Sequence, residues 1–106
     1  MRGTILAINA DGTTELTEVG DPRILVHLRR IVGGYIEGVP LFDTVVHGGL
    51  THRCVAFCNE EGKIRGLPIN AAATLMWERA MGRDPGDVLM GNVAVVWGDG
   101  AFMSRI

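Results

Sequence analysis

The sequence predicts an α+β fold: a mostly antiparallel sheet of about five to six strands with two helices packed on one face. Three observations predict it. Short runs of strand-type residues are separated by Gly, Asp and Pro turns. Two amphipathic segments each start on a capping residue and stop at glycine. The elements follow in the order β-β-α-β-(β)-β-β-α-β, without the regular alternation that builds a parallel sheet. A chain of 106 residues, 47 % of them hydrophobic, can fill one modest core, so a single domain over 1–106 is expected.

Thr4 to Ile8 and Thr14 to Val19 read as a first hairpin, closed by Asp11-Gly12 as a two-residue turn. Asp21 caps the next segment and Pro22 takes its first helical position, where a missing N–H costs nothing. Ile24, Leu25, Leu28, Ile31 and Val32 follow at helical spacing and form the inner stripe; Arg23, His27 and Arg30 lie outside. Arg29 and Arg30 complement the helix dipole, and Gly33-Gly34 ends the helix. Tyr35 to Val39 reads as a strand stopped by Pro40. Thr44-Val45-Val46 has the residues of a short strand, while His47-Gly48-Gly49 has loop chemistry.

The chain from Arg53 to Met81 organises the rest. Cys54 to Cys58, the turn Asn59-Glu60-Glu61-Gly62 and Lys63 to Leu67 read as strand, turn and returning strand. Asn70 then caps a helix whose inward stripe is Ala72, Leu75, Met76 and Ala80, stopped by Gly82. Asp84-Pro85-Gly86-Asp87 is a turn. Val93 to Val96 is apolar without alternation, as in a strand buried on both faces. Residues 98–106 read as a loosely docked tail.

Composition restricts the chemistry. Ten basic and twelve acidic side chains, in no block of one sign, supply neither the basic face of a nucleic-acid binder nor the dense carboxylates of a DNA mimic. The longest uncharged stretches are far short of the roughly 20 residues of a membrane span, and Met1-Arg2-Gly3 leads into an alternating segment and not a signal peptide. Cys54 and Cys58 sit on one face of an extended strand, roughly 13 Å apart, too far for a disulfide. Free thiols suit a reducing cytoplasm. The same spacing keeps His52, Cys54 and Cys58 from sharing one metal ion, so no metal and no cofactor is expected. The histidines lack a nucleophile at motif spacing, and the adjacent Glu60 and Glu61 sit on a turn where carboxylates are solvated, so no catalytic set is recognised.

Several motifs, weak singly and specific together, carry a resemblance: Gly33-Gly34-Tyr35-Ile36-Glu37; Asn59-Glu60-Glu61-Gly62 with Gly66-Leu67-Pro68-Ile69-Asn70 and Ala73-Thr74; and Gly86 to Gly91 ahead of a valine-rich strand. From the first strand to Trp97 the chain resembles a family of small uncharacterised domains, labelled a domain of unknown function, common in actinobacteriophages and actinobacterial mobile elements. His47-Gly48-Gly49 departs from that pattern. The resemblance implies no activity; it implies a phage or mobile-element accessory protein in the cytoplasm of a bacterial host.

Two functions are expected from this. One is a non-enzymatic module that binds a host or phage protein, or a second copy of itself, through the Glu60 turn with Asn59 and the polar face around Tyr35, Glu37 and Asn70. The alternative is a binder of a small anionic ligand such as a nucleotide, held at the helix start by Asn70 and Thr74 with Arg65 and Arg29 beside them.

Overall fold

The computed structural model describes residues 2–20 and 23–106. Among them lie β1 (Gly3–Ile8), β2 (Thr14–Val19), α1 (Ile24–Val32), β3 (Ile36–Gly38), β4 (Thr44–His47), β5 (Leu50–Arg53), β6 (Val55–Asn59), α2 (Ala71–Met81), β7 (Val93–Gly98) and α3 (Gly100–Met103). Five strands form one sheet in the order β2-β1-β7-β6-β3, and β4 pairs with β5 apart from it. Every pairing is antiparallel, so the α+β class and the antiparallel sheet are as the sequence predicts.

The first and last strands meet at the centre. Val93, Ala94, Val95 and Val96 of β7 are fully buried, and successive side chains of a strand point to opposite faces. Val93, Val95 and Trp97 therefore join Leu6, Ile8, Ala73 and Trp77 in one core, under α2. Ala94 and Val96 join Ile5, Leu28, Val32 and Phe102 in a second, under α1 and α3. The expected placing of both helices on one face is corrected: α1 and α2 cover opposite faces. Each valine so buried contributes about 1.5–3 kcal/mol relative to exposure.

Both helices bury a narrower stripe than their spacing implies. Ile24, Leu28 and Val32 of α1 are buried while Leu25 is exposed. In α2 the buried residues are Ala73 and Trp77; Ala72, Met76 and Ala80 flank them, and Leu75 points to solvent. Gly33 and Gly82 end the two helices in the left-handed conformation. The expected cap Asp21 and Pro22 lie outside the described residues.

The turns differ from expectation in two places. Residues 9–13 separate β1 from β2, with Gly12 alone at positive φ, Gly12 N–H donating to the Asn9 carbonyl and Asn9 N–H to that of Thr13. That is a turn followed by a bulge, not a two-residue turn. The two-residue turn is at Gly48-Gly49, both at positive φ, and it pairs His47 with Leu50. His47 is thus a strand residue. It and His52 both pack on Trp97, with ring centroids 5.7 and 4.7 Å away.

Lys63 to Leu67 is not a strand. From Glu60 to Gly66 the chain turns on itself, with Arg65 N–H donating to the Glu61 carbonyl and Leu67 N–H to that of Gly62, each at 2.9 Å. The partners of β6 are β3 and β7. The end is not loose either. Asp99 accepts from Phe102 N–H at 2.8 Å to start α3, and Phe102 is only 1 % exposed. Its ring rests on Gly3, where a Cβ would come within 2.1 Å of it.

Candidate functional site

Asn59, at the end of β6, ties three parts of the chain together. Its Nδ2 donates to the carbonyl of Val32 at the end of α1, at 3.0 Å, and its Oδ1 accepts from Glu61 N–H at 2.8 Å. Glu60 N–H donates to the Tyr35 carbonyl, which continues the β3–β6 ladder by one residue. Asn59 is buried, and a buried amide with both ends engaged fixes the elements around it. Its neighbour Gly34 leaves room for this, since a Cβ there would lie 2.9 Å from Nδ2.

Beside this junction lies a cleft of about 310 Å³ between β3, the 60–66 turn and residues 87–90. Glu37, Glu60 and Asp87 stand exposed on its rim, with Val39, Trp77 and Leu89 at its base. Lys63 pairs with Asp87 across it. Ile64 is 86 % exposed on the same rim, a large apolar side chain held in water. The Trp77 indole Nε1 donates to the Pro40 carbonyl at 2.8 Å, so α2 holds the chain leaving β3.

The predicted site residues divide into three groups. Glu37, Asn59 and Glu60 meet at the cleft. Tyr35 and Arg65 lie round the Asn59 junction: the Arg29 guanidinium sits 5.2 Å from the Tyr35 ring centroid, and Arg65 Nη1 approaches the Gly33 carbonyl at 3.4 Å. Asn70 and Thr74 are elsewhere, inside the fold. Asn70 is 0 % exposed; its Nδ2 donates to the carbonyls of Ile8 and Gly91 and its Oδ1 accepts from Ala73 N–H. Thr74 Oγ1 donates to the Asn70 carbonyl and accepts from Leu89 N–H. These two hold the base of α2 to β1 and to residues 89–91 ahead of β7, and their polar atoms face the protein.

Lys63, Ile64 and Asp87 are the cleft residues that sequence reasoning passed over. Lys63 and Ile64 sat in an expected strand. Asp87 lies 24 residues from Lys63, and no motif links them.

Bonding from Lys63, then from Val88 N–H, holds the Asp87 carboxyl below the ordinary carboxylate value. Burial, and secondarily the charge of Glu37, pushes the Cys58 thiol up, so the thiol lining the cleft stays protonated. Burial beside Asp43 pushes Cys54 up to about 12. Among the described residues, no histidine lines the cleft. Among the described residues, no three His, Cys, Asp or Glu side chains are grouped to hold a metal ion, and no helix is long and apolar enough to cross a membrane.

A family described as a domain of unknown function, DUF3846, matches residues 1–104. No curated protein and no solved structure matches the chain.

Proposed function

We propose that this chain, which belongs to that family, is a non-enzymatic protein-binding module whose partner docks in the cleft beside β3. One observation carries the reading. Ile64, 86 % exposed, and the carboxylates of Glu37, Glu60 and Asp87 surround an apolar base of Val39, Trp77 and Leu89. An apolar anchor ringed by charge is the composition of a recognition surface. The resemblance to domains of actinobacteriophages and mobile elements supports a host or phage protein as the partner, met in the bacterial cytoplasm by an accessory protein. The alternative, an anionic ligand at the start of α2, has no observation in its favour, because Asn70 and Thr74 spend their polar atoms on the protein.

The test is affinity capture from host and phage-infected lysates, with wild-type chain and an Ile64→Ser, Glu60→Lys double variant side by side. A partner held by the wild type and lost by the variant supports the reading. Capture of nothing at any salt concentration, or equal capture by both chains, overturns it.

A further inference from the structure

We propose that β2 pairs with β2 of a second copy across a two-fold axis, joining the two five-stranded sheets into one continuous sheet. The starting observation is an edge that no other strand among the described residues covers. β2 runs for six residues, Thr-Glu-Leu-Thr-Glu-Val, with no proline to break it and Glu15 and Glu18 as its only charges.

The hairpin decides which main-chain groups are free. Asn9 N–H donates to the Thr13 carbonyl, so Asn9 and Thr13 are a hydrogen-bonded pair. Such pairs alternate along an antiparallel ladder. From the register with β1, Glu15, Thr17 and Val19 turn their N–H and C=O groups toward β1, and Thr14, Leu16 and Glu18 turn theirs outward. No turn, loop, cap or side-chain bond among the described residues occupies these outward groups.

A second β2 must match outward residues with outward residues, which leaves few two-fold registers. Centring on Glu15 sets that carboxylate directly opposite its own copy, which is destabilising. Centring on Thr17 pairs only Leu16 and Glu18 and strands Thr14. Centring on Leu16 pairs Thr14 with Glu18, Leu16 with itself and Glu15 with Thr17. All three outward residues are then used, about six main-chain bonds form, and no carboxylate directly faces another. The central pair is apolar: Leu16 is 48 % exposed in the single chain and meets its copy in the dimer.

A basic strand from another protein is the competing occupant. It is disfavoured because Arg2 shares a groove with Glu18, and Arg30 shares one with Glu15, so the edge already has positive charge beside its carboxylates. The cleft lies at the opposite edge of the sheet, so partner capture there and pairing here fail independently.

Light scattering of the full chain over a dilution series tests the proposal. It expects twice the chain mass at high concentration, falling toward the single-chain mass on dilution. Leu16→Pro removes an outward N–H and no bond to β1, so it yields a monomer with an unchanged circular dichroism spectrum. Should that variant not fold, Thr14→Glu, which faces Glu18 of the second copy, weakens the dimer roughly tenfold, and Thr14→Lys tightens it. On oxidation Leu16→Cys forms a covalent dimer, because its Cα atoms meet at about 5.5 Å; Leu25→Cys, exposed on α1, does not. A monomer at every concentration overturns the proposal, as does a dimer indifferent to Thr14→Glu or a Leu16→Cys that cross-links no faster than Leu25→Cys.

Discussion

The two edges of the sheet are finished in different ways. At the β3 edge the strand is three residues long and its main-chain ladder is brief. Side chains reach in to hold the carbonyls around it: Asn59 takes that of Val32, Trp77 that of Pro40, and the Cys54 thiol that of Phe42. At the β2 edge the strand is six residues long and pairs with β1 along its whole length. No side chain among the described residues closes its outer row. A short strand with Pro40 after it is held by an amide, an indole and a thiol, and it presents a cleft. A long one is held by its neighbour, and it presents a free ladder. Main-chain pairing and side-chain clamping substitute for each other in stability, but only the first leaves a template for another strand.

The largest effect is expected at Asn59. Asn59→Ala leaves the Val32 carbonyl and the Glu61 N–H without partners, and two such orphaned groups cost about 2–4 kcal/mol. Urea unfolding measures it; a loss under about 1 kcal/mol would mean that the clamp is not what holds this edge. Next comes Trp77→Phe, which keeps most of the buried ring and removes the indole bond to Pro40. The expected loss is about 1 kcal/mol. Faster exchange of the Val39 amide, which donates to Ala56, should accompany it.

How much of this was legible in the sequence depended on whether the deciding interaction was local. Gly33 and Gly82 ended helices where they stood, and Asn70 capped α2 as its position implied. The unalternating Val93 to Val96 run reads as buried on both faces, and it is. That burial already demands cover on each side, which two helices on one face cannot supply; the helices divide for this reason. Lys63 to Leu67 misleads because strand-type residues on both sides of the Asn59-Glu60-Glu61-Gly62 turn read as a hairpin, whereas the Asn59 side chain starts a turn that carries Ile64 into solvent. Phe102 misled in the opposite direction. Its partners are Gly3 and Gly98, and the first of these is at the far end of the chain. The cleft was half legible, since Glu37 and Glu60 were singled out, while Lys63 and Asp87 meet only through the fold.

Acid acts on the β3 edge at smaller scale. The folded Asp87 carboxyl lies below its ordinary value of 3.8, so its contribution is present at neutral pH and is lost as pH falls through the folded value. The pair is exposed, and such pairs contribute less than about 1 kcal/mol. Lys63→Ala should therefore lower the thermal midpoint slightly at pH 7 and hardly at all near pH 2, while a gap that widened in acid would contradict the sign.

The smallest effect is expected at β2. Glu15→Thr changes an exposed side chain of the edge strand, and in dilute solution the folding free energy should move by no more than about 0.5 kcal/mol. Amide exchange in the same dilute sample tests the free ladder more directly. Glu15 and Thr17 amides, bonded to β1, should be protected, and Leu16 and Glu18 amides, turned outward, should exchange rapidly. Raising the concentration should slow the outward pair alone. Uniform protection along β2 at every concentration would place the hydrogen bonds of this edge somewhere other than the β1 register puts them.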